Sequence, residues 1–213
     1  YGHSLGSNEK VLQIIVEGIK EAGYNPGEEI AIAIDGAASE FFENGKYNLS
    51  VDGKILDGKG MADFYSSLID EYPIASIEDG LAEDDWGSWA VLMKKIGKKT
   101  QIVGDDLTVT NVKRLQKAID TNAINSVLIK VNQIGTVTET INAINLARKN
   151  KCTSVVSHRS AETEDTFIAD FVVGMGTGQC KFGAPARSER TAKYNRLLRI
   201  EEELGNKSKF AKF

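Results

Sequence analysis

The sequence is poor in cysteine and proline and contains no long apolar run. Cys152 and Cys180 are the only cysteines, a usage typical of reduced thiols in a cytosolic protein. With three prolines in 213 residues, the chain shows no internal linker rich in proline, glycine or serine. No segment approaches the roughly 18 to 20 apolar residues of a membrane span, and residues 1–7 lack the apolar region of a signal peptide. The composition therefore predicts a cytoplasmic protein without a membrane span.

The sequence also lacks an excess of basic residues. Lysine and arginine number 26 against 30 aspartates and glutamates, and the formal net charge is −4. The basic residues are scattered among acidic ones, which argues against a nucleic-acid partner. A small anionic substrate is still compatible with this balance, because the charge of a site is decided by its own residues.

The apolar content is sufficient for one large domain. Hydrophobic residues make up 41% of the chain, enough to bury a core. Residues 1–7 are interpreted as an added remnant, so the predicted domain is 8–213. A first helix is predicted at 8–22, with Ser7 as its N-cap and Gly23 as its stop.

Strand and helix patterns alternate along the rest of the chain. Strands are predicted at 30–35, 73–77, 101–104, 126–130, 152–157 and 170–174. The following helices are predicted at 58–71, 84–97, 111–120, 136–149, 162–169 and 186–203, with a hairpin at 41–57. Such alternation favours a parallel sheet with right-handed crossovers. The predicted fold class is α/β, an incomplete (β/α)8 barrel with about six of its eight strand–helix units.

Chemically capable residues follow five of the predicted strands. In chain order they are Asp35, Glu78, Asp105, Lys130 and His158. In a (β/α)8 barrel the residues just past the carboxyl ends of the strands converge on one mouth. The spacing therefore predicts a single site assembled from separate segments.

Three of these residues are carboxylates. Asp35, Glu78 and Asp105 form an oxygen-rich set that suits a hard cation such as Mg²⁺. Asp79 and Asp106 stand next to two of them and are alternative ligands on spacing alone. Any one of these acids is also compatible with a helix cap or a solvated loop.

Lys130 is the candidate general base. An ammonium at the end of an apolar strand is desolvated, and nearby cations disfavour its charged form further. Both effects lower the pKa of a lysine, and a neutral amine accepts protons. The competing interpretation is a lysine whose head group extends into solvent.

The segment Ser157–Ser160 is predicted to recognise an anion. Arg159 offers a planar fork for phosphate or carboxylate, and the Ser160 hydroxyl adds a donor. A capping serine beside a surface arginine is the competing interpretation. The glycine-rich run Gly174–Gln179 lacks the spacing of a nucleotide loop and is expected to turn the backbone so that Lys181 supplies a second cation.

Six stretches of the chain resemble enolase, the glycolytic phosphopyruvate hydratase. They occur in the expected order over about residues 8–205 and are Ile34–Phe42, Ser76–Asp79, Gly104–Asn111, Leu128–Gly135, Ser157–Thr166 and Gly183–Arg190. The resemblance implies a lyase that reversibly dehydrates 2-phosphoglycerate to phosphoenolpyruvate with two Mg²⁺ ions. It also implies that Asp35, Glu78 and Asp105 bind the first magnesium ion and that Lys130 removes the proton beside the substrate carboxylate.

The remaining candidates receive substrate-binding roles from the same resemblance. His158, Arg159 and Ser160 are implied to bind the substrate, the last two at its phosphate, and Lys181 is implied to pair with its carboxylate. The enolase superfamily is itself the known example of a lysine or histidine base working with Mg²⁺. A full-length form is expected to be a homo-oligomer, either a dimer or an octamer.

The chain departs from the resemblance at its start. Enolases carry a Gly-Asp-Glu-Gly-Gly stretch shortly before the helix that begins here near Asn8, and its glutamate helps to expel the hydroxyl. Residues 1–7 stand there instead. The N-terminal α+β domain and the first two barrel strands are also expected to be missing. The chain is therefore predicted to be a C-terminal barrel fragment with weak or no activity on its own.

Two other functions are compatible with the sequence. The chain is alternatively a surface-exposed or secreted binding or antigenic module for a host protein such as plasminogen, with Lys207, Lys209 and Lys212 as the contact residues. A different superfamily member acting on another carboxylate is less compatible, because Ser157–Ser160 and Lys181 match enolase together.

Overall fold

The computed structural model describes residues 5–211, and the chain divides into two compact units. Unit 1 comprises Tyr1–Leu107 and Lys117–Asn125, and unit 2 comprises Thr108–Gln116 and Ser126–Phe213. Both units alternate strands and helices, as predicted for an α/β chain.

Unit 1 contains a parallel sheet, a small antiparallel sheet and three complete helices within its described residues. The helices are α1 (Asn8–Glu21), α2 (Gly58–Glu71) and α3 (Trp86–Ile96). The strands are β1 (Ile32–Asp35), β2 (Phe42–Glu43), β3 (Lys46–Leu49), β4 (Lys54–Leu56), β5 (Ile74–Glu78) and β6 (Gln101–Gly104). The predicted cap of α1 is confirmed, because Ser7 Oγ accepts a hydrogen bond from Lys10 N at 3.1 Å.

The parallel sheet of unit 1 has the order β1-β5-β6. Its register pairs Asp35 with Glu78, and Glu78 with Val103. The strands are short and rich in isoleucine and valine, as expected where both faces of a parallel sheet are covered. Helix α2 covers apolar surface with a stripe of buried residues at helical spacing, namely Met61, Ala62, Tyr65 and Leu68.

The predicted hairpin at 41–57 is a three-stranded antiparallel sheet of β2, β3 and β4. Its two-residue turn has φ of 52° at Asn44 and 77° at Gly45, and two positive φ values are the requirement of a type I′ turn. Tyr47 in β3 is fully buried, and its hydroxyl donates to Asp85 Oδ2 at 2.8 Å while accepting from Ala82 N at 3.1 Å. These bonds attach the hairpin to the loop that follows β5.

Unit 2 repeats the pattern of strand followed by helix. Its strands are β7 (Ser126–Ile129), β8 (Thr153–Ser157) and β9 (Gln179–Lys181), and they pair in parallel in that order. Helix α4 (Val112–Asp120) begins in unit 2 and ends in unit 1. The other helices are α5 (Val131–Ile134), α6 (Val137–Lys149), α7 (Phe167–Met175) and α8 (Ser188–Leu204).

The predicted helix at 162–169 and the predicted strand at 170–174 are both wrong. Helix α7 occupies Phe167–Met175, and the last parallel strand is β9. The apolar run 171–173 resembles a strand by composition, but Phe167 and Phe171 lie one helical turn apart and stack at 5.5 Å between ring centroids. The number of parallel strands, six among residues 5–211, agrees with the prediction although the last was misplaced.

Tyr47→Phe tests the attachment of the hairpin. Removing the hydroxyl leaves the buried amide of Ala82 without this acceptor, so we expect the free energy of unfolding to fall by about 1 to 3 kcal/mol. Tyr24 is 48% exposed, and Tyr24→Phe is the matched control, with an expected change within about 0.5 kcal/mol. Urea unfolding followed by circular dichroism measures both, and equal losses would contradict the assignment.

Candidate functional site

Asp35 and Glu78 lie side by side at the carboxyl ends of β1 and β5. Neighbouring parallel strands are about 4.8 Å apart, and residues in register point to the same face. Glu78 is 7% exposed, whereas Asp35 is exposed and its Oδ1 accepts from Ala37 N at 3.2 Å. The backbone also joins the two strand ends, because Gly36 N donates to Glu78 O at 2.8 Å.

Asp105 directly follows β6, the strand that pairs with β5. Val103 is the register partner of Glu78, and Asp105 lies two residues further along the chain. Its exposure is 6%. Unit 1 thus places the three predicted magnesium ligands at the ends of three neighbouring strands, and their role as ligands stays a prediction.

The side chain of Asp79 has a structural role that the sequence did not predict. Its Oδ1 accepts from Asp105 N and its Oδ2 accepts from Asp106 N, both at 2.9 Å. The side chain is 5% exposed, and burial raises the pKa of its carboxyl to about 7 against the opposing effect of the two amides. The charges of Asp105 and Asp106 raise this pKa as well. Asp79 therefore fixes the backbone of the loop after β6.

Asp79, Asp105 and Asp106 together form a cluster that could hold a metal ion. One ligand oxygen from each lies within 4.8 Å of the others, and the first two residues are buried. Carboxylate oxygens are the ligands that Mg²⁺ prefers, and a cation would offset the cost of keeping these acids out of water. The donor set fits such an ion. The structure thus brings Asp105 together with Asp79 and Asp106, the two residues that spacing alone indicated as alternative ligands.

In unit 2, Lys130 directly follows β7 and is half-buried. Its backbone N donates to Thr110 Oγ1 at 3.0 Å, and that hydroxyl donates to Gln133 Oε1 at 2.9 Å. Thr110 is fully buried with φ of 54°, an uncommon value for a β-branched residue. This threonine was not predicted as a site residue, because only the folded chain brings it to the end of β7.

The loop after β8 is held by an arginine that the sequence analysis also missed. Arg190 donates to the carbonyl oxygens of Arg159 and Ser160, both at 2.8 Å, and its guanidinium contacts His158 Nδ1. A guanidinium can only donate, so Nδ1 is the acceptor and the imidazole proton is assigned to Nε2. Arg190 lies in one of the stretches that resemble enolase, and this resemblance is the feature of the sequence that could have indicated its role.

Several cations act on His158. Burial lowers the pKa of its imidazole first, and the charges of Arg190, Lys181 and Lys130 lower it further against the opposing Glu162. Lys181 ends β9, where its carbonyl accepts from His158 N at 2.9 Å. The structure thus brings three predicted residues of unit 2 into one positively charged environment.

Arg159 and Ser160 follow His158 in the same loop. Arg159 is half-buried and one of its guanidinium nitrogens donates to Asn132 Oδ1 at 3.2 Å, whereas Ser160 is exposed. Positive φ values of 59° at Gly176 and 74° at Gly178 turn the chain into β9, as predicted for this glycine-rich run. The phosphate-binding roles of Arg159 and Ser160 stay predictions.

Parallel strands whose carboxyl ends carry acids in unit 1 and cations in unit 2 define an α/β protein of the barrel-enzyme type. Residues 1–212 match the family described as enolase, C-terminal TIM barrel domain. The chain belongs to this family, which confirms the predicted barrel type. In residues 5–211 no helix is both long and apolar enough to cross a membrane.

We expect His158 to stay neutral until the pH falls below its ordinary pKa of about 6.5. Because folding depresses this pKa, the stability contributed by the neutral imidazole is present above about pH 6.5 and is lost as the pH falls through the folded-state value. An NMR titration measures the imidazole directly, and His3→Gln assigns the two histidine signals.

Arg190→Met is expected to raise the pKa of His158, because it removes the nearest positive charge. Arg196 lies on the same helix and pairs with Asp170 instead, so Arg196→Met is the matched control and should leave the titration unchanged. A His158 that titrates equally in the parent and in Arg190→Met would contradict this account of the site.

Proposed function

We propose that this chain carries the enolase reaction, the reversible Mg²⁺-dependent dehydration of 2-phosphoglycerate to phosphoenolpyruvate in glycolysis and gluconeogenesis. The observation that supports it best is the position of His158, which contacts the Arg190 guanidinium and bonds the backbone of Lys181 at the end of β9. A substrate that bears both a phosphate and a carboxylate suits such surroundings. Membership of the enolase C-terminal family points to the same reaction.

The chemistry requires concentrated positive charge. A carbon next to an ionised carboxylate is a poor acid, because losing its proton adds a second negative charge to the same group. Bound Mg²⁺ ions, held by Asp35, Glu78 and Asp105, would supply charge that stabilises this dianion. The ammonium group of Lys181 would pair with the substrate carboxylate as well.

Lys130 would act as the base. Its side-chain nitrogen would take the proton from the carbon, and the electron pair left behind would form the double bond as the hydroxyl leaves the neighbouring carbon. Arg159 and Ser160 would hold the phosphate, and the Nε2 proton of His158 is available as a further donor. We assign no residue of this chain to the protonation of the leaving hydroxyl.

Lys130→Met tests the role of the base. We expect formation of phosphoenolpyruvate and exchange of the substrate hydrogen with solvent to fall by about 100-fold or more, because the base is lost. Lys149 is an exposed lysine at the end of α6, and Lys149→Met should leave both rates unchanged. Ultraviolet absorbance with and without Mg²⁺ follows the product, and mass spectrometry follows the exchange.

The parent chain itself is expected to turn over slowly, since six strands are described in residues 5–211 and a closed barrel needs eight. Turnover at the level of complete enolases would contradict this expectation. Binding of phosphoenolpyruvate that depends neither on Mg²⁺ nor on Arg159 would contradict the proposed reaction.

Glu78→Gln and Asp106→Asn distinguish the two candidate sets of magnesium ligands. If Asp35, Glu78 and Asp105 bind the ion, Glu78→Gln should weaken Mg²⁺ binding by about tenfold or more, and Asp106→Asn should have the smaller effect. Asp84 is an exposed acid in the same unit, and Asp84→Asn is the control. Calorimetry measures the affinities, and the reverse ranking would assign the ion to the cluster of Asp79, Asp105 and Asp106.

Binding to a host protein such as plasminogen is the second candidate function. Lys207 and Lys209 are exposed near the carboxyl end, and the predicted Lys212 lies outside the described residues. Deletion of residues 207–213 should abolish saturable plasminogen binding if these lysines form the contact. Unchanged binding after the deletion would count against it.

A further inference from the structure

Lys193 on helix α8 is a lysine buried with its charge. Its exposure is 1%, and its ammonium donates to Thr163 O and Glu189 O and pairs with Glu162 Oε2, each at 2.8 Å. An ammonium has three N–H donors, so these three acceptors satisfy it completely. Burying a charge is costly even when it is paired. The packing of α8 alone therefore does not explain why a charged lysine is buried at this position.

Glu162 connects this lysine to the loop after β8. Its Oε2 pairs with Lys193, and its Oε1 accepts from Arg159 N at 2.9 Å. Burial pushes the pKa of this carboxyl upward, but the bonds from Lys193 and Arg159 outweigh it and hold the pKa below its usual range. Glu162 is therefore ionised near neutral pH. Its side chain therefore stabilises the loop after β8 and does not belong to the first turn of a helix.

Arg190 holds the same loop from its carbonyl side. It lies three residues before Lys193, so both side chains leave the same face of α8. Arg190 donates to the carbonyls of Arg159 and Ser160, while Lys193 acts through Glu162 on the amide of Arg159. Helix α8 thus fixes both the N–H and the carbonyl group of Arg159. The side chain of Arg159 therefore extends from a fixed backbone.

We propose that Glu162, supported by its ion pair with Lys193, is a positioning residue that holds the Arg159 amide, so that the loop His158–Ser160 is preorganised to bind the phosphate of the substrate. The inference rests on the proposed function, because that function assigns the phosphate to this loop. Preorganised donors bind more tightly, since no ordering is needed when the ligand arrives. Neither residue touches the substrate in this scheme.

Two double variants separate positioning from simple stabilisation. Lys193→Met/Glu162→Gln removes the ion pair but keeps an amide oxygen that can accept from Arg159 N. Lys193→Met/Glu162→Met removes the pair and that acceptor as well. Both avoid a buried unpaired charge, whereas Lys193→Met alone would leave one and risks unfolding. The difference between the two double variants isolates the bond to the Arg159 amide.

The probes are inorganic phosphate and phosphoenolpyruvate, with affinities measured by calorimetry on the whole chain. We expect Lys193→Met/Glu162→Met to bind both about tenfold or more weakly than the parent, and Lys193→Met/Glu162→Gln to stay within about threefold. Hydrogen exchange at the Arg159 amide should be faster only in the variant with methionine at both positions. Mg²⁺ affinity should be the same in all three proteins, which a general loss of folding would not produce.

A pair on the same helix supplies the control. Arg196→Met/Asp170→Asn removes an ion pair between α8 and α7 and should change neither phosphate affinity nor exchange at Arg159. Equal phosphate affinity in the two double variants, or unchanged hydrogen exchange at the Arg159 amide, would overturn this inference but not the proposed function. A parent chain that binds neither phosphate nor phosphoenolpyruvate would overturn the proposed function, and this inference with it.

Discussion

The loops that follow the strands depend on one requirement, which is that a buried charged side chain must be hydrogen-bonded. A buried charge is tolerated only where hydrogen bonds replace its hydration. Asp79 meets this requirement with two backbone amides and Lys193 with three oxygen atoms. Both partners of Asp79 lie in the loop after β6, and two partners of Lys193, Glu162 and Thr163, lie in the loop after β8. The bonds that satisfy these charges therefore also fix the loops, while the third partner of Lys193, Glu189, lies on α8 itself.

The two units carry different chemical groups at the ends of their strands. Unit 1 carries carboxylates at neighbouring strand ends, and oxygen atoms of this kind could hold a divalent cation. Unit 2 carries the cationic surroundings of His158. Membership of the enolase C-terminal TIM barrel family explains why both sets follow parallel strands, because such barrels build their sites from these ends.

Elements with a distinctive sequence pattern were predicted with the correct bounds, and elements with an ambiguous pattern were not. Helix α2 and strand β6 begin and end where predicted, since a long amphipathic stripe and a short apolar run between turn signals are both clear patterns. The run 171–173 was misread, because apolar and β-branched residues also suit a buried helix. The three residues of β9 were too few to be recognised against a glycine-rich background.

Residue type and local order were sufficient to predict the family, the alternation of strands and helices, and the chemically capable residues that follow the strands. The backbone groups that those residues bond became known only from the folded chain. Thr110, Arg190 and Lys193 act through bonds to residues about 20 to 30 positions away, and no local pattern encodes such partners. The task of Asp79 became visible for the same reason, once β5 and β6 were paired.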